Sequence, residues 1–464
     1  MLDVVADDRA PDAAADQPAV PAHAVLLLTA LAAGVVAQGG YYLPGRVLVT
    51  VLVLAAALVA LRARRWGRAD IGPAVAAGAL AGWILARAVL ADEYPEALAA
   101  LATLGCLVAA LLVLRRTDLA ARESAAEALV WVGALVAVTA WLGVAWRMPR
   151  FAVLVEHQLW RGGSTLTYPN ATAALLVPLA LLALALLAAR PRAVPRALAA
   201  YLLLVGVGAT LSRAGFLALL VGFLALAVLA RSAVWHSIPA GIGAAVAVAA
   251  LVPSFPDSSA PRPALAVLGL AAGAVVATGP VLLRGRVRAV VVGALVLATV
   301  VAAGAGLRSG LLHQVWAVRG NLDSSGRTGA LRAAFAMVAE HPFIGTGPGL
   351  ARFVWDTPDG TGAVALYVHD EYVQTLVDVG AIGAVLLLGL LAVLVRYLYR
   401  ARRLPHRAGI RAGAIAALAA FAVHSGFDFL WHIAVLPLAG SLLIGLAGPA
   451  IGGNTISPQA EGKL

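Results

Sequence analysis

The chain has 464 residues, of which 62% are hydrophobic and 12% charged, with a mean hydropathy of +0.92. Soluble domains carry about 45–50% apolar and about 25% charged residues, so this composition excludes a soluble enzyme and marks an integral membrane protein. The formal net charge of +11 does not point to nucleic acid, because most arginines sit in short loops between apolar runs, where the positive-inside bias puts them.

In chain order, residues 1–21 are acidic, rich in Ala and Pro, and lack a basic n-region. They predict a disordered cytoplasmic tail rather than a cleaved signal peptide. Apolar runs then predict fourteen spans, at 22–38, 46–61, 71–90, 96–114, 125–146, 170–189, 197–211, 214–230, 238–252, 264–283, 289–306, 373–395, 411–428 and 433–450. The expected fold is therefore all-α and polytopic, with about 12–14 transmembrane helices. The expected organisation is spans one to eleven over 22–306, a long external loop at 307–372, three further spans over 373–450, and a cytoplasmic tail at 451–464. The single cysteine, Cys106, lies in an apolar run and makes no intrachain disulfide.

Alternate loops are strongly basic: RARRWGR (62–68), RRTDLAAR (115–122), RPRAVPR (190–196), Arg231, RGRVR (284–288) and RYLYRARRLPHRAGIR (396–411). The loops between them are short, acidic or mixed, as in ADEYPE (91–96). This bias places both termini in the cytoplasm and the 307–372 loop outside. Ala197 to Ala230 runs for 34 residues with one charge, Arg213. A helix needs only about 20 residues to cross, so two spans are expected, with a turn at Ser212-Arg213-Ala214-Gly215 facing the same side as the long loop. In the loop from Arg147 to Pro169, FAVLVEHQLW is expected to lie in the membrane interface as an amphipathic stretch, followed by RGGSTLTYPN.

The long loop carries Arg308, Arg319, Arg327, Arg332 and Arg352, together with His313, His341 and His369. A helix is predicted over Thr328–Glu340, with Leu331, Phe335 and Val338 on one face and Ser324 or Ser325 in the N-cap region. Pro342 ends it, and Gly345, Gly347, Pro348 and Gly349 impose turns. GTGPG is not a phosphate-binding Walker loop, since no Gly-Lys-Ser/Thr follows.

Several residues are candidates for chemistry. An arginine inside an apolar run, such as Arg213, costs about 2.5–3.5 kcal/mol on insertion scales and is kept either for an anionic partner or as a snorkelling helix end. Arg327 and Arg332 flank the start of the predicted loop helix, which reads equally as a solvated face. His369, Asp370 and Glu371 open span twelve, where acids favour a helix N-terminus and a histidine titrates near neutral pH. His424, Asp428 and His432 are spaced by four, so on one helix they share a face. That face suits a proton relay or a hydrogen-bonded ladder, and makes only a sparse metal site. No Asp-x-Asp pair is present, which argues against a metal-held nucleotide-sugar.

Three segments in order, TLSRAGFLALL, SGRTGALRAAFAMVAEHPFIGTGPGLARF and HDEYVQTLVDVGAIGAVLLL, resemble the O-antigen ligase and polymerase superfamily of polytopic membrane glycosyltransferases. RGGSTLTYPNATAALL and HSGFDFLWH extend the resemblance to roughly residues 160–450. It implies a bacterial cytoplasmic (inner) membrane enzyme without cofactor or metal. The enzyme would move a glycan from a polyprenyl-diphosphate donor to a lipid, glycan, cell-wall or protein acceptor. By the resemblance, Arg213 and Arg327 bind the diphosphate and His369 acts on the acceptor hydroxyl or the donor. Arg161, Arg332, His424 and Asp428 are candidates for a supporting or acceptor site. The family's Asn after that histidine is Asp370 here, an alternative base, and the later acidic position is Asp378. Ligase and polymerase share these motifs. A transporter of lipid-linked sugars using the His424/Asp428/His432 set is the rival of another class, although inverted repeats with broken helices are not evident.

Overall fold

A computed structural model describes residues 20–63, 67–155, 158–306, 327–356, 361–403 and 408–449. Residues 1–19 of the expected 1–21 tail, the expected tail 451–464, and the N-cap candidates Ser324 and Ser325 lie outside the described residues. Each of the fourteen apolar runs is a helix: α1 (Ala22–Val36), α2 (Leu43–Ala63), α3 (Arg68–Ala91), α4 (Pro95–Arg115), α5 (Leu119–Ala145), α6 (Pro169–Ala189), α7 (Val194–Thr210), α8 (Arg213–Leu229), α9 (Arg231–Leu251), α10 (Pro263–Leu282), α11 (Gly285–Gly306), α13 (Glu371–Arg400), α14 (Ala408–Ser425) and α15 (Val435–Ala447). The loop helix is α12, Arg327–Glu340. Among the described residues, nine helices are long and apolar enough to cross a membrane, and α1, α7, α8 and α15 are shorter apolar helices.

The helix ends follow from the sequence. Prolines open α4, α6, α7 and α10, where the missing N–H is not needed. Asp118, Ser212 and Asp370 cap α5, α8 and α13 through side-chain oxygens, each satisfying backbone donors that the helix leaves open. Helix α6 is apolar all round and buried along nearly its whole length, so it forms the centre of the bundle. α5, α7, α8 and α14 pack around it. Where α9 crosses α10, a Cβ on Gly243 would meet the Gly273 carbonyl at 2.3 Å. Small residues let backbones approach this closely inside a membrane.

Polar contacts sort into two ends. At one end, Asp70 pairs with Arg115 at 2.6 Å and Arg116 at 3.2 Å, and Arg196 pairs with Glu123 at 2.6 Å and with Glu127. There too Arg122 donates to the Gly448 carbonyl at 2.8 Å and Thr117 meets His23 at 3.4 Å. The start of α1 and the end of α15 therefore share this basic end. The other end gathers the connections that build the candidate site.

Three features differ from the expectations. In the 147–169 loop, β1 (Ala152–Val155) and β2 (Leu159–Gly162) pair antiparallel, a hairpin that the sequence pattern did not predict. Trp160 N–H donates to the Phe255 carbonyl at 2.8 Å, so the α9–α10 connection extends the pairing and favours a strand. On α12 the buried residues are Ala330 and Ala334, and Leu331 and Val338 pack against the same cluster as expected, but Phe335 is 53% exposed. The alanines let the helix close on Phe353 and Val377, and Gly329 sits against Trp355. Finally, α14 ends at Ser425, and His432 lies on a separate short turn, Leu430–His432. His424, Asp428 and His432 thus share no helix face. The expected turn between spans seven and eight is present. It falls at Leu211 (φ 48°) and Ser212, with Arg213 opening α8.

Candidate functional site

Asp428 is fully buried in the connection between α14 and α15. It accepts hydrogen bonds from the Tyr168 hydroxyl at 2.6 Å, Asn170 Nδ2 at 2.6 Å and His369 Nδ1 at 2.9 Å. The three donors come from the N-cap of α6, its first turn, and the residue before the cap of α13. An ionised carboxylate only accepts, so His369 Nδ1 carries the shared proton and Nε2 remains for another partner. His369 holds φ 59°, a left-handed conformation unusual outside glycine and one that clusters at functional sites.

Asn170 ties this pair to the α7–α8 turn. Its Oδ1 accepts from Arg161 Nη2 at 2.9 Å and Ser212 Oγ at 3.0 Å, while Arg161 Nε donates to the Thr210 carbonyl at 2.8 Å. Arg213 follows Ser212 directly and is exposed at the first position of α8. Arg327, the first residue of α12, is 38% exposed and brings Nη2 to 3.9 Å from Asp428 Oδ2. Its Nη1 donates to the Phe427 carbonyl at 3.2 Å. Burial raises the proton affinity of Asp428, but the His369 hydrogen bond and charge, the Tyr168 bond and the Arg327 charge outweigh it. The carboxyl is held below its ordinary range. The Tyr168 hydroxyl is pushed well above its ordinary value, first by burial and then by the Asp428 charge.

The other sequence candidates fall as follows. Asp370 caps α13, its Oδ1 accepting from the N–H groups of Tyr372 at 2.9 Å and Val373 at 3.1 Å. Arg332 is exposed on α12, roughly 140° around the helix from Arg327. His424 is buried near Asp428, and neither ring nitrogen has a hydrogen-bond partner among the described residues. His432 leaves the cluster and pairs with Glu371 at 3.4 Å. Asp378 accepts from Gln374 at 3.0 Å one turn down α13. Among the described residues, no group of three or more His, Cys, Asp or Glu is arranged to hold a metal.

The loop motif frames the cluster through backbone bonds. Helix α13 breaks at Gly380 (φ 66°, ψ −171°), which frees polar groups at membrane depth that must be satisfied. Thr346 N–H donates to the Val377 carbonyl at 2.7 Å and Gly347 N–H to the Asp378 carbonyl at 3.0 Å. In return, Ala381 N–H donates to the Pro342 carbonyl at 2.9 Å. Trp83 and Arg87 of α3 donate to the carbonyls of Val379 and Gly345. The His-Pro-x-x-Gly-x-Gly turn is therefore the complement of a broken helix.

Tyr168, Asn170 and Phe429 were not singled out from sequence. Phe429 stacks on Tyr168 at 5.4 Å and Tyr367 at 4.9 Å, and His369 meets its edge at 5.1 Å. The available signal was a polar residue, Asn170, in the first turn of an otherwise apolar span.

The fold and the cluster define a polytopic all-α membrane protein with a histidine–aspartate pair and arginines gathered at one end. Residues 262–388 match the family model described as O-Antigen ligase. That segment of the chain is therefore similar to the O-antigen ligase family, and the whole chain has the apolar helices of a multi-pass membrane protein. No curated protein matches it.

Proposed function

We propose that the protein transfers a glycan from a polyprenyl-diphosphate donor to an acceptor hydroxyl at the outer face of the bacterial cytoplasmic membrane. The observation that carries this reading is the His369–Asp428 contact of 2.9 Å with the Arg327 guanidinium 3.9 Å from the same carboxylate. A base and a cation so placed suit a reaction that takes a proton from an attacking hydroxyl and leaves charge on a departing diphosphate.

In this scheme His369 Nε2 accepts the acceptor's proton, and Asp428 fixes the ring and stabilises the imidazolium that forms. The acceptor oxygen bonds to the donor sugar's anomeric carbon as the bond to the diphosphate oxygen breaks. Arg327 and Arg213 hold the diphosphate, where a planar guanidinium offers two parallel hydrogen bonds. The capping bonds of Asp370 favour His369 as the base. The basic loops at the opposite end support a cytoplasmic position for that end, by the positive-inside bias.

Substituting Arg213→Ala, Arg327→Ala or His369→Ala should each lower glycan transfer by about 10²-fold or more while the protein still inserts. Transfer measured with lipid-linked glycan and purified variants checks this. Full activity with all three changed would sink the assignment.

A further inference from the structure

Two short segments bring His369 and Asp428 together. One runs from Val368 into the first turn of α13, and the other is the 426–434 connection between α14 and α15, mostly irregular with a short turn at Leu430–His432. His369 holds a left-handed backbone (φ 59°), a conformation that persists only where its surroundings over-determine it.

A second bridge joins the same two segments. Two residues after His369, the Glu371 carboxylate turns to the connection. There its Oε1 accepts from the Trp431 backbone N–H and lies 3.4 Å from His432 Nδ1. These partners stand three and four residues after Asp428. The His369–Asp428 pair and the Glu371 bonds are thus two rungs between one pair of segments. Each segment is also fixed from outside. Gln374 Oε1 accepts from the Val368 N–H at 3.1 Å. Arg46 of α2 donates to the His432 carbonyl at 2.9 Å, and Trp431 Nε1 to Ser425 Oγ at 3.0 Å.

The second rung is ionic. Glu371 is 2% exposed, and a neutral acceptor would serve the Trp431 N–H as well. A carboxylate so buried needs a compensating charge, and among the described residues its ion-pair partner is His432. A cavity of about 160 Å³ between α3, α4 and α13 gathers the groups around that histidine: Glu371 and Asp378 of α13, Glu96 of α4 and Arg46 of α2. Tyr367 and Arg352 of the 307–372 loop face it from an adjoining space. Burial disfavours the imidazolium, but the charges of Glu371, Asp378 and Glu96 outweigh it and raise the proton affinity of His432 above the ordinary histidine value. The pair is intact while His432 is protonated. As pH rises through its titration, the imidazolium is lost and Glu371 is left as an unpaired buried charge.

We propose that Glu371 is a positioning residue, whose ion pair with His432 fixes the spacing of the two segments and so holds the His369 ring on Asp428. Its effect on turnover rests on the transfer reading above, whereas its effect on the His369 ring does not.

The test uses the full chain in lipid nanodiscs and compares the native protein with Glu371→Gln and His432→Gln. Release of polyprenyl diphosphate is followed against pH. The native protein should lose turnover on the alkaline side, as His432 gives up its proton. Glu371→Gln keeps an acceptor for the Trp431 N–H but removes the ion pair, and His432→Gln removes it from the other side. Both should lower kcat about tenfold at neutral pH and abolish the alkaline fall. KM for the donor should hold in both, since Arg213 and Arg327 are untouched. Modification of His369 by diethyl pyrocarbonate, read by mass spectrometry without donor, follows the ring itself. It should rise about fivefold in both variants, and not in Glu340→Gln, an exposed carboxylate at the far end of α12. His369 modification unchanged in both variants, or an alkaline profile identical in the native protein and both variants, would overturn the proposal. Raised His369 modification in the variants with no donor cleavage by the native protein defeats the transfer reading alone. Cleavage by the native protein that both variants match at every pH defeats the positioning role alone.

Discussion

Tyr168, Asn170 and His369 reach Asp428 across 260, 258 and 59 residues of sequence, and that separation explains what the sequence could and could not reveal. Arg213, Arg327 and His369 were legible because each sits in a short motif with a recognisable turn or helix start. Asp428 was legible only as an ionisable residue within an apolar run, and its partners were not, since no local pattern links them. Because Asp428 orients His369 and faces Arg327, Asp428→Asn should lower transfer by about 10²-fold or more. Tyr168→Phe leaves Asn170 and His369 in place and should cost about tenfold. Comparing initial rates of the two variants at equal protein checks the order. The stability linkage has a definite sign. Asp428 is held below the ordinary carboxylate range, so its charged contacts stabilise the fold fully above pH of about 4 and are lost as pH falls further. The stability gap between the native protein and Asp428→Asn should shrink as pH falls below about 4. Acid unfolding curves in detergent provide the measurement.

Among the elements, helix positions were easy to read and helix continuity was not. Apolar runs with proline, serine and aspartate punctuation located all fourteen runs now seen as helices. The same periodic reasoning assumed that His424, Asp428 and His432 continued one helix, although α14 stops at Ser425. It also gave no sign of the break in α13, because a lone glycine in an apolar span is usually tolerated. The break depends on Pro342 to Gly347 supplying bonds from outside the helix, a contact no local window contains. A Cβ at Gly380 would meet the Phe343 carbonyl oxygen at 2.3 Å, and φ there is +66°. Gly380→Ala should therefore destabilise the fold by roughly 1–3 kcal/mol, more than Gly389→Ala on the same helix, where a Cβ meets nothing within 4 Å. Thermal unfolding of the two variants in detergent separates them, and equal midpoints would contradict the account of the break.

For the molecule as a whole, the arginine-rich loops and the polar cluster stand at opposite ends of one helical bundle. Alternation of basic loops carried this from sequence, since it depends only on the count of spans. The cavity that Glu96, Glu371 and Asp378 line was not legible, because it arises from how α3, α4 and α13 pack. The topology has its own test. Cys106, the one native cysteine, is buried, so single-cysteine labelling reads position cleanly. Gly362→Cys should react with an impermeant maleimide on spheroplasts, and Arg192→Cys only after permeabilisation. The reverse pattern would invert the proposed orientation.

The central claim is that this end of the bundle cleaves a polyprenyl-diphosphate glycan and passes the glycan on. Its most direct test is to incubate the purified protein with that donor and follow free polyprenyl diphosphate. Release that falls by about 10²-fold in Arg327→Ala and His369→Ala is the predicted result. No release, or movement of intact donor across vesicles without release, would contradict it.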